Sequence, residues 1–180
     1  MRMKLWTVAM ACLALTFAAC STVPKTEGDR LDLANDVKRA LAKAKAADPT
    51  LESFLGKATA YAVFPSIGKG GLIVGGAYGR GEVYTNGTMA GYCDVSSVTL
   101  GAQIGGQSFT EIVVFEGETD YRSFKNGHLK FTAQVSAVAL KAGSAAATNY
   151  RDGVAVFVMN PSGLMLEASV GGQQFSYQSK

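Results

Sequence analysis

The chain is poor in the residues that most often carry chemistry. In 180 residues it has one histidine, one tryptophan, three cysteines and four prolines. A single histidine argues against a multi-histidine metal centre. Neither charge sign dominates, since 17 Lys+Arg face 14 Asp+Glu. That balance lacks the basic excess of a nucleic-acid binder. Hydrophobic residues make up 48% of the chain, which excludes a disordered composition. The 21 glycines follow no three-residue period, which excludes collagen. The length suits one domain with a core of its own.

The longest apolar stretch, Leu5 to Ala19, is interrupted by Thr7 and Thr16 and falls short of a bilayer span. It follows a basic start, Arg2 and Lys4, and ends Phe17-Ala18-Ala19-Cys20. Small residues before a cysteine suit cleavage of a bacterial lipoprotein signal, after which the Cys20 thiol carries the lipid. The junction resembles a lipobox with Phe17 where Leu is usual. Residues 1–19 therefore read as a signal peptide and 20–28 as a lipidated cysteine and tether. Ser21, in place of an aspartate, points to the outer membrane, with the domain facing the periplasm. Processing leaves 15 basic against 14 acidic residues, near neutrality. It also leaves Cys93 as the one free thiol, so no intramolecular disulfide can form.

From residue 29 to 180 the chain reads as one domain. Asp29 is a candidate helix cap, and Leu33, Val37, Leu41 and Ala44 recur at helical spacing. Asp48-Pro49 ends this helix and opens a short second one that exits at Gly56. Twenty of the 21 glycines lie from Gly56 onward, where short apolar runs alternate with turn signals. Strands are expected at 61–64, 71–78, 82–85, 97–104, 111–115, 154–159 and 164–170. Asn86-Gly87 predicts a two-residue hairpin and Asn160 to Gly163 a turn. Tyr121 to Phe124 suits a helical turn before Asn126-Gly127. Residues 131–142 fit both the strand and the helix period, with strand favoured.

A frame Leu-x-Ala-x-(Ile/Val)-Gly-Gly-Gln-x-Phe occurs at Leu100 and again at Leu166, and Val74 to Tyr78 is a weaker copy. Glycine pairs after apolar strands predict bends. The expected fold is α+β, with N-terminal helices packed on a strongly curved, mainly antiparallel sheet, barrel- or sandwich-like.

Catalytic patterns are weak. His128 stands beside a turn, where solvated histidines are common, and Cys93 lies among Tyr92, Val95 and Val98 as a small core residue would. Glu116, Glu118 and Asp120 lack calcium-loop spacing. No nucleophile elbow or phosphate loop is present. The cations Lys69 and Arg80, flanked by glycines that include Gly70 and Gly71, are the best candidates for holding a phosphate.

Lys57 to Pro65, Gly68 to Gly76, Gly79-Arg80-Gly81, Phe131 to Ser136 and Gly163 to Val170, in that order, resemble the SYLF domain. The likeness runs from about Asp29 to Tyr177. Bacterial members are commonly lipoproteins, as Cys20 suggests here. Eukaryotic members bind phosphoinositides, and fungal ones also bind actin, which a periplasmic protein does not meet. The resemblance implies a non-enzymatic domain that binds membrane phospholipids, anionic ones in particular, through Lys69, Arg80, Gly70 and Gly71, together with the basic N-terminal helix that carries Lys38, Arg39, Lys43 and Lys45. It implies no catalytic residues, cofactor or metal. The competing expectation is a structural envelope module that binds another protein.

Overall fold

The computed structural model describes residues 22–71, 74–100, 107–129, 137–160 and 172–180. The expected signal peptide and Cys20 lie outside them, as do Gly105, Gly171 and the strand expected at 164–170.

Helix α1 (Glu27–Ala47) starts two residues before the expected cap. Thr26 is the capping residue: its Oγ accepts the Asp29 N–H at 3.0 Å, and Asp29 accepts the Thr26 N–H at 3.2 Å. This reciprocal box satisfies two free donors of the first turn, so Asp29 sits inside the helix. Of the expected 20–28 tether, residues 22–28 are described. Thr22 and Pro24 are buried, and Arg30 Nε donates to the Pro24 carbonyl at 3.2 Å. The buried stripe of α1 is Val37, Ala40 and Ala44, with Leu33 and Leu41 at its margins. Two alanines in that stripe let the helix approach the sheet closely. Helix α2 (Thr50–Lys57) follows Pro49 directly and buries Leu51 and Leu55.

Among the described residues seven strands form one sheet: β1 (Ala60–Gly71), β2 (Val74–Thr85), β3 (Thr88–Leu100), β4 (Gln107–Phe115), β5 (Ala137–Ala139), β6 (Val154–Met159) and β7 (Gln174–Ser179). Their order is β5-β6-β4-β1-β2-β3-β7, antiparallel throughout except for the parallel pair β5 and β6. The α+β class and the mainly antiparallel sheet agree with expectation. The barrel- or sandwich-like closure does not. Among the described residues β5 and β7 are the two ends of an open sheet. Closure is not needed to bury this sheet, because helices cover both faces. Helices α1, α2 and α4 (Ser144–Ala147) pack on one face, over Val63, Ile112, Val114, Ala155 and Phe157. Helix α3 (Glu118–Lys125) packs on the other, where Tyr121 and Phe124 join Phe64, Phe115, Val156 and Phe175. Phe124 meets the Phe175 ring at 5.3 Å, tying α3 to the far edge strand.

The strands are longer than the apolar runs implied. Of the expected strand 71–78, Gly71 ends β1 and 74–78 join the expected 82–85 in β2, and β3 begins at Thr88. Asn86 and Gly87 both have positive φ, 49° and 74°, and close the β2–β3 hairpin as expected. Gly75 and Gly76 do not bend their strand: they pair with Gly71 and Gly70 on one side and Thr99 and Val98 on the other. The register shifts instead in β1, between Val63 and Ser66, and again where β2 pairs β3, between Val83 and Tyr84. Pro65 sits in the β1 bulge, where its missing N–H breaks no ladder, and Thr110 Oγ donates to its carbonyl at 2.9 Å. Gly81 faces the bulge, and a Cβ there would stand 2.2 Å from the Val63 carbonyl oxygen. Of the ambiguous 131–142 stretch, 131–136 lie outside the described residues, and 137–139 form strand β5, followed by an irregular turn into α4.

Candidate functional site

Alternation along β1 and β2 decides where the two candidate cations go. Ala62, Phe64 and, past the bulge, Ile67 point into the core under α3. Lys69, two residues beyond Ile67, lies on that face. Its ammonium stands 4.8 Å from the centre of the Phe109 ring. Burial pushes the Lys69 pKa down, and the Glu111 carboxylate partly offsets the shift. Arg80 is on the other face. Its neighbours Gly79 and Gly81 point to the α3 side, since a Cβ on either would meet Ile67 or Phe64. The Arg80 Nε donates to the Tyr78 hydroxyl at 3.0 Å. With Pro24, Lys25, Asp29, Asp32, Leu33 and Asp36 it lines a shallow cavity of about 460 Å³ at the start of α1. Lys69 and Arg80 therefore lie on opposite faces of the sheet, and Arg80 shares its cavity with three aspartates. Asp29 is held below the usual carboxylate range by hydrogen bonds with Thr26 first, with a smaller contribution from Arg80.

Gly70 lies in the same cross-strand row as Gly76 and Val98, and Gly68 in the row of Tyr78 and Ser96. On the α1 side this end of the β1–β2–β3 sheet carries Tyr78, 43% exposed, and Val98, 75% exposed. Leu31, 60% exposed, is the other large apolar residue left in water among those described. Arg80 is two residues from Tyr78 and lines the same cavity as Pro24. The point where the chain leaves toward Cys20 is therefore near this exposed end.

On the α3 side lies a group that sequence reasoning did not single out. Glu111 is fully buried in β4 between Thr110 and Ile112. Gln173 Nε2 donates to its Oε2 at 3.0 Å, while Glu111 Oε1 and Gln173 Oε1 have no hydrogen-bond partner among the described residues. Burial pushes the Glu111 carboxyl up to about 7, against the opposing pulls of the Gln173 hydrogen bond and Lys69. Gln173 also lines a cavity of about 510 Å³ with Ser96, Gly127, Leu129, Phe175 and Ser176. The only cue in the sequence was an acid placed directly before the apolar run 112–115.

Two other buried acids have structural duties. Asp48 accepts from Thr50 N–H and Oγ–H, Gly143 N–H and Ala145 N–H. Glu82 accepts from the Tyr84 hydroxyl at 2.6 Å, beneath a stacked Tyr61–Tyr84 pair. Burial first, then Glu82, pushes the Tyr84 hydroxyl well above its ordinary value. Cys93 is buried and its thiol pushed up by burial, whereas His128 is exposed. The basic residues of α1 project outward: Arg39 pairs with Asp36, Lys45 pairs with Glu52, and Lys38 and Lys43 are exposed. No helix among the described residues is long and apolar enough to cross a membrane.

No family model matches the chain. It is similar to the beta cell expansion factor A of Aeromonas veronii, with 27% identity over 128 residues. That alignment takes in 71% of this chain and 49% of the relative, so the chain spans about half the length of the curated relative it matches.

Proposed function

We propose that this chain is a lipid-anchored envelope protein of SYLF type, whose domain binds phospholipid surfaces without catalysing a reaction. The observation that carries this reading is the position of the exposed sheet end. Thr22 is packed on the domain two residues after Cys20, and two residues of chain reach only about 7 Å. A lipid on Cys20 would hold the start of α1 against the bilayer. The surface nearest that anchor holds Tyr78, Val98 and Leu31 in water. An exposed tyrosine and aliphatics beside a cation suit the interface between headgroups and acyl chains. Lys69 supplies a phosphate contact on the opposite face of the same sheet end, with the backbone of Gly70 and Gly71 beside it. Outer-membrane placement, with the domain in the periplasm, follows from the reading of Cys20 and Ser21.

The test is vesicle flotation of the domain from Thr22 onward, without its anchor. Binding to vesicles that is weakened when Val98 and Tyr78 are replaced by Asp and Ser supports the proposal. A folded domain that stays with the soluble fraction across phospholipid compositions refutes it and favours a protein-binding module. In the full chain, Cys20→Ser is expected to abolish labelling with palmitate and membrane anchoring.

A further inference from the structure

Glu111 and Gln173 meet across the sheet rather than along it. Gln173 directly precedes β7, which is hydrogen-bonded to β3, whereas Glu111 lies in β4 between β1 and β6. Strands β1, β2 and β3 stand between β4 and β7 in the sheet order. The 3.0 Å bond from Gln173 Nε2 to Glu111 Oε2 therefore ties the centre of the sheet to the start of an edge strand, outside the ladder. It is buried at both ends, with Glu111 0% and Gln173 8% exposed. Each partner keeps one oxygen that nothing among the described residues bonds, Glu111 Oε1 and Gln173 Oε1. Two buried acceptors without a donor are costly. One proton on the carboxyl serves both, because a protonated carboxyl donates as well as accepts, and an amide is its complement.

We propose that Glu111 and Gln173 form a two-bond acid–amide latch, closed by a proton on Glu111 Oε1 and released when that proton leaves. In the closed state Gln173 Nε2 donates to Glu111 Oε2, and Glu111 Oε1 donates in return to Gln173 Oε1. When the proton passes to water, both Oε1 atoms become bare acceptors and the start of β7 is freed from β4. On this face β6 presents Val156 and Val158, while the titratable side chains are Lys69 of β1, Cys93 of β3, Tyr121 and Lys125 of α3 and Tyr177 of β7. Cys93 and Tyr121 are pushed up by burial and stay neutral. Lys125 is engaged by Glu118 and the Tyr121 ring. Burial holds the proton on Glu111 up to about pH 7, outweighing the Gln173 bond and the pull of Lys69. The latch is closed below that pH and opens above it. What it governs is the wall of the cavity of about 510 Å³, which Gln173, Gln174 and Phe175 line beside Leu129. The latch is independent of what the domain binds.

The full chain, held in non-ionic detergent, is measured by infrared spectroscopy and by hydrogen exchange at about pH 6, where ordinary carboxyls are ionised, and at about pH 9. Exchange rates are corrected for the intrinsic effect of pH. Wild type is expected to show at pH 6 a protonated-carboxyl band that Glu111→Gln lacks, and to lose it at pH 9. With it, protection of the amides of Gln174 to Ser176 should fall about tenfold further than that of the β1 amides, the worth of one buried hydrogen bond. Glu111→Gln supplies an N–H in place of the O–H, so its β7 protection should follow that of β1 at both pH values. No band difference between wild type and Glu111→Gln at pH 6 overturns the proposal. So does an equal fall of β7 and β1 in wild type, which would mean a weaker fold with β7 still held. A wild-type fall of β7 in Glu111→Gln overturns it as well. Gln173→Leu keeps the bulk and removes the amide, and decides the matter if Glu111→Gln fails to fold. Its β7 start should exchange at pH 6 as fast as that of wild type at pH 9, and wild-type protection there at pH 6 overturns the latch.

Discussion

Asp48 Oδ2 accepts the backbone N–H of Ala145 at 2.7 Å, joining two residues 97 positions apart. The same carboxylate accepts from Thr50 at the start of α2 and from Gly143 before α4. One side chain therefore satisfies free donors at the starts of two helices and ties the N-terminal helices to the segment preceding β6. Burial alone would raise its pKa, but the hydrogen bonds from Thr50, Ala145 and Gly143 outweigh it, and the net shift is downward.

Replacing Asp48 should be costly. Asp48→Ala is expected to lose about 2–4 kcal/mol by chemical denaturation at neutral pH, because several buried donors lose their partner. Asp48→Asn keeps one oxygen but turns an amide N–H₂ toward the Ala145 N–H, and should still lose about 1–2 kcal/mol. Since the folded pKa is depressed, the contribution is present above the ordinary value of 3.8 and fades as pH falls through the lowered one. An Asp48→Ala variant as stable as wild type would show that water replaces the carboxylate at no cost.

Gly81, facing the β1 bulge, is one of the glycines at which a Cβ would collide with backbone. Gly81→Ala places a Cβ 2.2 Å from the Val63 carbonyl oxygen and 2.9 Å from the Phe64 ring. A loss of about 2–4 kcal/mol is expected, in the range of overpacked core sites. At Gly76 the nearest atom to an added Cβ is the Ser97 carbonyl oxygen at 3.5 Å, an ordinary contact. Gly76→Ala should change stability by less than about 1 kcal/mol. Thermal melts of the two variants compare the sites directly.

Glu111 makes the fold weaker in alkali. Its folded pKa of about 7 exceeds the ordinary 4.5, so the folded chain holds the proton more tightly than the unfolded one. The increment is fully present below about pH 4.5 and is lost as pH rises through 7. It is worth about 3 kcal/mol, since each tenfold gain in proton affinity on folding contributes roughly 1.4 kcal/mol. Glu111→Gln should flatten the pH dependence of stability between about 5 and 8. A variant with the wild-type slope would mean that Glu111 is ionised in the fold at neutral pH.

Lys69 and Arg80 should act separately on lipid binding. Lys69→Glu is expected to weaken binding of the anchor-free domain to anionic vesicles by about 1.5–3 kcal/mol if the contact is partly desolvated. Arg80→Glu should matter less, since Asp29, Asp32 and Asp36 already share the Arg80 cavity. The double variant should show the sum of the two, because the side chains lie on opposite faces of the sheet. Flotation at low and moderate salt checks this, as exposed contacts are screened within about 10 Å at 0.1 M salt. A double variant much weaker than that sum would mean that the two cations grip one headgroup.

Local signals were legible wherever they are carried by neighbours in the chain. The break at Asp48-Pro49, the Asn86-Gly87 hairpin and the strand 154–159 all appear at or near their expected places. The start of α1 moved to Thr26 because a capping box needs its acid three residues inside the helix, which Asp29 supplies. Strand β7 was missed although Phe175 and Tyr177 alternate with polar residues, because its edge position leaves most of it exposed. The stretch 131–142 read ambiguously, and within it local period cannot say that 137–139 will pair in parallel with β6.

The sequence by itself determined the α+β class, the two N-terminal helices and the cluster of glycines around Lys69 and Arg80, since hydrophobic period, caps and turn residues act over a few positions. Only the tertiary structure decided that the sheet is open among the described residues, that its two cations part to opposite faces, and that Glu111 is buried against Gln173. The physical reason is that each depends on contacts remote in the chain. Helix α3 covers the second face and removes the need for closure. The bulge between Val63 and Ser66 sets which way Lys69 points. Burial of Glu111 is settled by segments that meet across 62 residues of chain.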